Sequence, residues 1–195
     1  CVVFDKYHKL LSKSPIGGTP CLIPEANIAI SHLPPPQSHK NVVDLGSGQG
    51  SFSDKLKNMG YNVTSLDLDP SQYGATIKAE MHEFPLPDNS QSIVFCSGTF
   101  EHSYAPFIVL HEMRRVLVDG GVIAITLPTA DNVKMLEDEA HMSIFSKLQM
   151  EYMFFKKLDM EIIHYEIGEW DNVVGVHQIF IIRVHKDKPN KYDLP

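Results

Sequence analysis

The stretch VVDLGSGQG, residues 42–50, sets one acid, Asp44, before three alternating glycines, Gly46, Gly48 and Gly50. Glycines in that rhythm reach backbone angles closed to other residues and let a ligand lie against bare main chain. The next candidate is SLDLDP, residues 65–70, whose Asp67 follows Gly50 by 17 residues. An acid at the end of a second strand accepts hydrogen bonds from both hydroxyls of a ribose. The loop does not fit the dinucleotide fingerprint G-x-G-x-x-G, because the third glycine position falls on Ser51. Nor is it a phosphate loop of the G-x-x-x-x-G-K type, since no lysine follows Gly50 before Lys55. Asp44 beside a diphosphate would repel it, and suits a cation or the loop's own amides better. The pair therefore points to a nucleoside bound without a pyrophosphate.

Such a site needs strands that end at the loop. NVVDL (41–45) is a short apolar run stopped by glycine, which predicts a buried strand. SFSDKLKNMG follows, with Phe52, Leu56 and Met59 at helical spacing and Gly60 as the stop. YNVTSLDLD predicts strand two, ATIKAEM strand three and QSIVFCSG strand four. APFIVLHEMRRVL predicts a helix with Val109, Met113 and Val116 on one face, ended by Asp119-Gly120-Gly121. GVIAITLP is strand five. SKLQMEYMFFKKL opens on a capping box, Ser146 with Gln149, and carries Leu148, Tyr152 and Phe155 as its apolar face. DMEIIHYEIGEW and HQIFIIRVH have no helix between them and predict an antiparallel pair. Strands alternating with helices imply an α/β fold: one Rossmann-like, doubly wound, mostly parallel seven-stranded sheet with an antiparallel terminal strand. We expect residues 41–186 to form this core and 187–195 a polar tail. Residues 1–40 would be a short helix and irregular chain, acting as lead-in or lid.

Composition narrows the classes. The chain is 43% hydrophobic with a formal charge of -7, an ordinary composition without the basic face of a nucleic-acid binder. No apolar run is long enough to span a membrane. The start lacks a methionine and a long apolar segment, and reads as a cut or processed end rather than a signal peptide. Three scattered cysteines argue against a disulfide framework and for a reducing, cytoplasmic setting. With no CxxC and no HExxH, no metal site is read from the sequence.

These segments, in this order from about 41 to 184, resemble the class I S-adenosylmethionine-dependent methyltransferases of the type 11 group. VVDLGSGQG is similar to that family's first motif and SLDLDP to its second. AEMHEFPLPDNSQSIVFCSGTFEH and HEMRRVLVDGGVIAITLP resemble the segments that follow. The resemblance implies S-adenosyl-L-methionine as cofactor. Gly46, Ser47, Gly48 and Gly50 would approach it backbone-first, and Asp44 would orient its amino-acid end. Asp67 would bind the ribose and Leu68 would lie along the adenine. Glu80 or the Met81 backbone would meet the adenine edge, and Ser97 would floor the site below the sulfonium. Where the family commonly has phenylalanine and aspartate before strand four, this chain has Gln91 and Ser92.

Methyl transfer from a sulfonium needs an aligned nucleophile, and a base only where the nucleophile holds its proton. His102, in GTFEHS after strand four, has a suitable pKa for that base. Alternatively, Glu101-His102 caps the next helix and shapes the wall. His141, after strand five, is the second candidate, because the family that the chain resembles often has a histidine there near the acceptor mouth. Tyr7 and His8 are candidates to close the site. FCSG is similar to the PCSG of RNA cytosine-5 methyltransferases but lacks its proline and preceding acid, so Cys96 reads as a buried strand residue. A small-molecule acceptor is the first expectation. An RNA or protein acceptor, in one domain of a larger chain, is the second, and a binding module without turnover the third. Oligomeric state is not legible.

Overall fold

The computed structural model describes residues 23–72, 76–132, 136–169, 175–187, 190 and 192. Tyr7 and His8 lie outside them, as does most of the polar tail. Within the first forty residues, of which 1–22 lie outside the described ones, a helix spans Ile23–Ser31 (α1). Then come β1 (Asn41–Leu45), α2 (Ser51–Asn58), β2 (Asn62–Asp67), β3 (Ile77–Lys78), β4 (Gln91–Ser97), α3 (Pro106–Val116) and β5 (Leu117–Pro128). A short α4 (Lys147–Gln149) runs into a π-helical stretch, Met150–Phe155, before β6 (Met160–Gly168) and β7 (His177–Val184). The seven strands form one sheet in the order β3-β2-β1-β4-β5-β7-β6. β1 to β5 pair in parallel, while β7 runs antiparallel between β5 and β6.

The two faces follow from alternation along the strands. Val43, Leu45, Val94, Cys96, Ile123, Ile125, Phe180 and Ile182 face one side, packed with Val109 and Met113 of α3 and with Phe154, Phe155 and Leu158. Val42, Ile93, Phe95, Val122, Ala124, Ile179 and Ile181 face the other, covered by Ala26, Ala29 and Ile30 of α1 and by Leu56 of α2.

Four local expectations need correction. Strand three shrinks to Ile77–Lys78, both exposed at the sheet edge and paired only with β2. The Asp119-Gly120-Gly121 run does not end α3, which stops at Val116 and passes directly into β5. Those residues form an irregularity inside β5, between the pairings Gln91–Leu117 and Ile93–Val122. Pairing with β4 recruits Leu117 to the sheet before the glycines are reached. α2 ends at Asn58 and Met59, just past it, is exposed, while Ser53 is buried in the helix and bonds a buried acid. Finally, the capping box of Ser146 and Gln149 is formed, but Leu148 and Tyr152 face solvent. Met150, Phe154 and Phe155 are the buried side chains. Of the expected face only Phe155 is buried, edge-on to Phe180 at 5.5 Å, and Phe154, edge-on to Phe145 at 5.1 Å, is buried beside it.

Candidate functional site

All parallel strands of an open sheet end on the same edge, and ligands gather where the strand order reverses. Here that point lies between β1 and β4. The chain leaves β1 at Leu45 and turns at Gly46, Gly48 and Gly50, with φ of 74°, 49° and 78°. The loop is stitched to the neighbouring strand: the amides of Gly46 and Ser47 donate to the Leu66 carbonyl at 2.8 and 3.1 Å. A Cβ on Gly46 would overlap the side chain of Thr99. The bareness of Gly46 is thus already used by the turn after β4.

Asp67, at the end of β2, is half-buried. Its Oδ2 accepts the Gly48 amide at 2.8 Å and its Oδ1 accepts the Asp69 amide at 2.9 Å. The carboxylate that fixes the loop's backbone is therefore Asp67. Each of its oxygens retains a second lone pair. Asp44 instead lies beneath the loop, 2% exposed. Ser53 donates to it at 2.5 Å and lies 2.7 Å from Ser65. Burial pushes the Asp44 carboxyl up to about 6; the Ser53 bond opposes this, and the charge of Asp67 adds to it. Ser47 bonds Thr76 across 3.1 Å.

Glu80 lies past β3 with its Oε1 on His82 Nδ1 at 2.8 Å, and His82 Nε2 is 2.9 Å from the Ser103 hydroxyl. The Tyr104 ring covers His82 at 4.0 Å. This chain of bonds joins the loop after β3 to the turn after β4. Sequence reasoning missed His82, Ser103 and Tyr104. Met81 and His82 form the corner of a tight turn, closed by the Glu83 amide donating to the Glu80 carbonyl at 3.0 Å, and no periodic signal in the sequence marks the Glu80–His82 contact. Met81 is buried and Leu68 half-buried. Ser97 and Thr126, at the ends of β4 and β5, share a bond of 2.8 Å.

The turn Phe100–His102 meets the loop after β5. The amides of Met142 and Ser143 both donate to the Glu101 carbonyl at 2.9 Å. His102 Nδ1 bonds the Ala140 carbonyl at 3.0 Å. A carbonyl only accepts, so Nδ1 carries the proton and Nε2 keeps the lone pair of the neutral ring. The ring of His141 sits 4.9 Å from that of His102. The two histidines are thus brought together from opposite sides of β5. Cys96 is fully buried within β4. Burial pushes its thiol well up, helped by the charges of Glu101 and Asp44, so it is no ready nucleophile. A separate depression lined by Lys156, Asp159, Met160, Glu161, His185 and Asp187 lies at the start of β6, on the opposite edge.

Residues 43–125 match the family model described as Methyltransferase domain. A malonyl-[acyl-carrier protein] O-methyltransferase of Serratia marcescens is 28% identical over 125 residues, covering 56% of this chain and 49% of that protein. The chain thus spans about half the length of that curated relative. Among solved structures, the 1,6-didemethyltoxoflavin-N1-methyltransferase of Burkholderia thailandensis, with bound 1,6-didemethyltoxoflavin and S-adenosylhomocysteine, superposes with a TM-score of 0.70. It is 14% identical over 94% of this chain and 86% of its own. The [4+2]-cyclase SpnF superposes at 0.64, with 12% identity over 82% of this chain and 79% of its own. At such identities the superpositions establish the fold alone.

Proposed function

We propose that this chain is a class I S-adenosylmethionine-dependent methyltransferase, a reading supported by the match of residues 43–125 to the methyltransferase-domain model and by the fold, and that it moves the cofactor's methyl group to an oxygen, nitrogen or carbon nucleophile of a small molecule. The observation that carries the reading is the clasp between the glycine loop and Asp67. It presents stripped main chain and a half-exposed carboxylate side by side at the strand ends. The residues present fit a nucleoside carrying a charged amino-acid arm. Asp67 holds the two ribose hydroxyls on its remaining lone pairs. Gly46, Ser47, Gly48 and Gly50 offer main chain to the amino-acid arm, while Asp44 fixes the helix start beneath them. Leu68 and Met81 flank the base, with Glu80 positioned by His82 at its edge, and Ser97 floors the reacting end. When bound, the cofactor supplies a methyl group already activated on positive sulfur.

On the acceptor side, His102 is held by Ala140 so that its lone pair lies on Nε2, ready to take a proton as the methyl group arrives. His141 stands beside it and narrows the mouth. The acceptor class draws support from charge: the chain is acidic overall, Arg114 is buried, and Arg115 is paired with Glu112 and Asp88. The Serratia relative is named a malonyl-[acyl-carrier protein] O-methyltransferase. A malonyl group, free or carried on a protein, is accordingly the first acceptor to try.

The reading is tested by calorimetric titration with S-adenosylhomocysteine, with NAD as comparator. Binding of the first and not the second is expected. Binding of neither retires the cofactor site. Because one fold neighbour is named as a cyclase, turnover is read separately, as conversion of S-adenosylmethionine to S-adenosylhomocysteine with an acceptor present.

A further inference from the structure

Glu101 has an unsatisfied atom. The residue is 3% exposed, and its Oε2 has no hydrogen-bond partner. A carboxylate taken out of water without a partner is costly, so an orphaned oxygen in a folded chain calls for an explanation. Its surroundings supply one. One carboxylate oxygen of Glu101 and one ring nitrogen each of His102 and His141 all lie within 4.8 Å of one another. Two imidazoles and one carboxylate, with His102 half-buried and the His141 side chain 9% exposed, make the donor set of a divalent first-row ion, and three protein donors leave a fourth position for a ligand.

The surroundings of the donors agree. A ligating histidine usually donates its other N–H to a carbonyl or carboxylate, which fixes tautomer and ring direction. His102 does so to Ala140 at 3.0 Å. His141 Nε2 lies 3.8 Å from Asp138 Oδ2, too far for a hydrogen bond but near enough for the carboxylate to favour positive charge there. The loop carrying His141 is pinned to Glu101 itself through the amides of Met142 and Ser143, and Ser143 Oγ donates to the Ser103 carbonyl at 2.5 Å. The three donors therefore belong to one stitched unit. A tetrahedral ion with bonds of about 2.0–2.1 Å wants its donors about 3.4 Å apart, so small side-chain rotations close the set.

We propose that Glu101, His102 and His141 bind one divalent transition-metal ion of the zinc type, beside the ends of β4 and β5. Binding stands independently of the methyl-transfer reading; the ion's role rests on it. Coordinated to the open position, an acceptor hydroxyl loses its proton to solvent more readily. The freed oxygen pair then forms the O–CH3 bond, while the S–CH3 pair returns to sulfur. In this form His102 is a ligand, not the proton acceptor, so the ion takes over the base's task.

The test uses the whole chain, free of any polyhistidine tag and stripped with chelator. It is titrated with Co2+, whose visible absorption reports coordination, then with Zn2+ as competitor and Mg2+ as comparator. Expected are one equivalent of Co2+ with visible bands, displacement by Zn2+, and no effect of Mg2+. Glu101→Gln and His141→Ala should each weaken Co2+ binding at least tenfold. His32→Ala should leave it unchanged; it removes a member of a separate grouping, His32, His164 and Glu166, whose carboxylate is open to solvent. In case a variant fails to fold, the wild-type chain gives a second readout. The imidazole proton resonances of His102 and His141 should shift with the first equivalent. Absence of visible bands, Co2+ affinity unmoved by both variants, or shifts confined to His32 and His164 would each overturn the proposal. S-adenosylhomocysteine affinity, measured on the same samples, keeps the two readings apart. Its retention with no Co2+ bound retires only the metal site; its loss with Co2+ bound retires only the cofactor site.

Discussion

Asp67 and Asp44 are both acids near the glycine loop, yet their surroundings give them different work. Asp67 is half-exposed and receives two backbone amides, one from each side of the strand end. Asp67→Ala removes a charged acceptor from the ribose and the anchor of Gly48. We expect S-adenosylhomocysteine affinity to fall by about 1.5–3 kcal/mol, roughly tenfold to a hundredfold or more. Unchanged affinity in a folded variant would remove Asp67 from the site. Asp44 is buried, and its carboxyl rises from an ordinary 3.8 to about 6. The folded chain therefore holds this proton more tightly than the unfolded one. Stability from the group is present below about pH 4 and is lost as pH rises through 6, by up to about 3 kcal/mol. Asp44→Asn keeps an oxygen for Ser53 and has no charge to lose. Urea unfolding at pH 4.5 and 7.0 should show the variant gaining on the wild type at the higher pH. Parallel behaviour at both would contradict the burial argument.

At the scale of elements, the glycine loop and the turn after β4 form one packed unit. Gly46 has a φ of 74° and no room for a Cβ against Thr99. Gly46→Ala meets two penalties, a left-handed backbone and a clash, and only the clash depends on Thr99. The backbone part costs about 1–2 kcal/mol. Adding Thr99→Ala should recover part of the rest, giving a coupling of about 1 kcal/mol or more in a double-mutant cycle of denaturant melts. Strict additivity would mean that the two turns do not pack. The same reasoning explains the stretch 146–158. Of the face that local spacing offers there, packing keeps only Phe155, against Phe180 of β7, and replaces Leu148 and Tyr152 with Met150 and Phe154.

Across the whole molecule, α1 is fastened to the far end of the chain. Glu25 and His177 are 1% and 3% exposed and meet at 2.7 Å, 152 residues apart in sequence. His177 pairs with Pro128 at the carboxyl end of β5, so the contact closes the same sheet edge that carries the candidate site. Removing one member of a buried hydrogen-bonded pair leaves the other unsatisfied and costs about 1–3 kcal/mol. Glu25→Ala should cost about that in chemical denaturation, and Glu25→Ala with His177→Ala less than the two single losses together. Additive losses would show that the two groups do not stabilise each other. No helix among the described residues is long and apolar enough to cross a membrane.

Sequence by itself determined the sheet and its loop. Alternating and continuous apolar runs set β1, β2, β4, β5, β6 and β7, because the pleat forces every second side chain to one face. Three glycines after β1 and Asp67 after β2 marked the ligand edge, because left-handed backbone and a strand-end carboxylate are local properties. Local signals failed where a partner distant in sequence decides the outcome. The glycines at 120 and 121 resembled a helix stop until pairing with Gln91 drew Leu117 into β5. Only the tertiary structure could set the ring of His102 against that of His141, by bonding His102 to the carbonyl of Ala140, 38 positions on in sequence. It alone bonded Glu80 through His82 to Ser103, and Glu25 to His177. A side chain's periodicity tells which face it is on; which group waits on the other side is settled by how the strand ends come together.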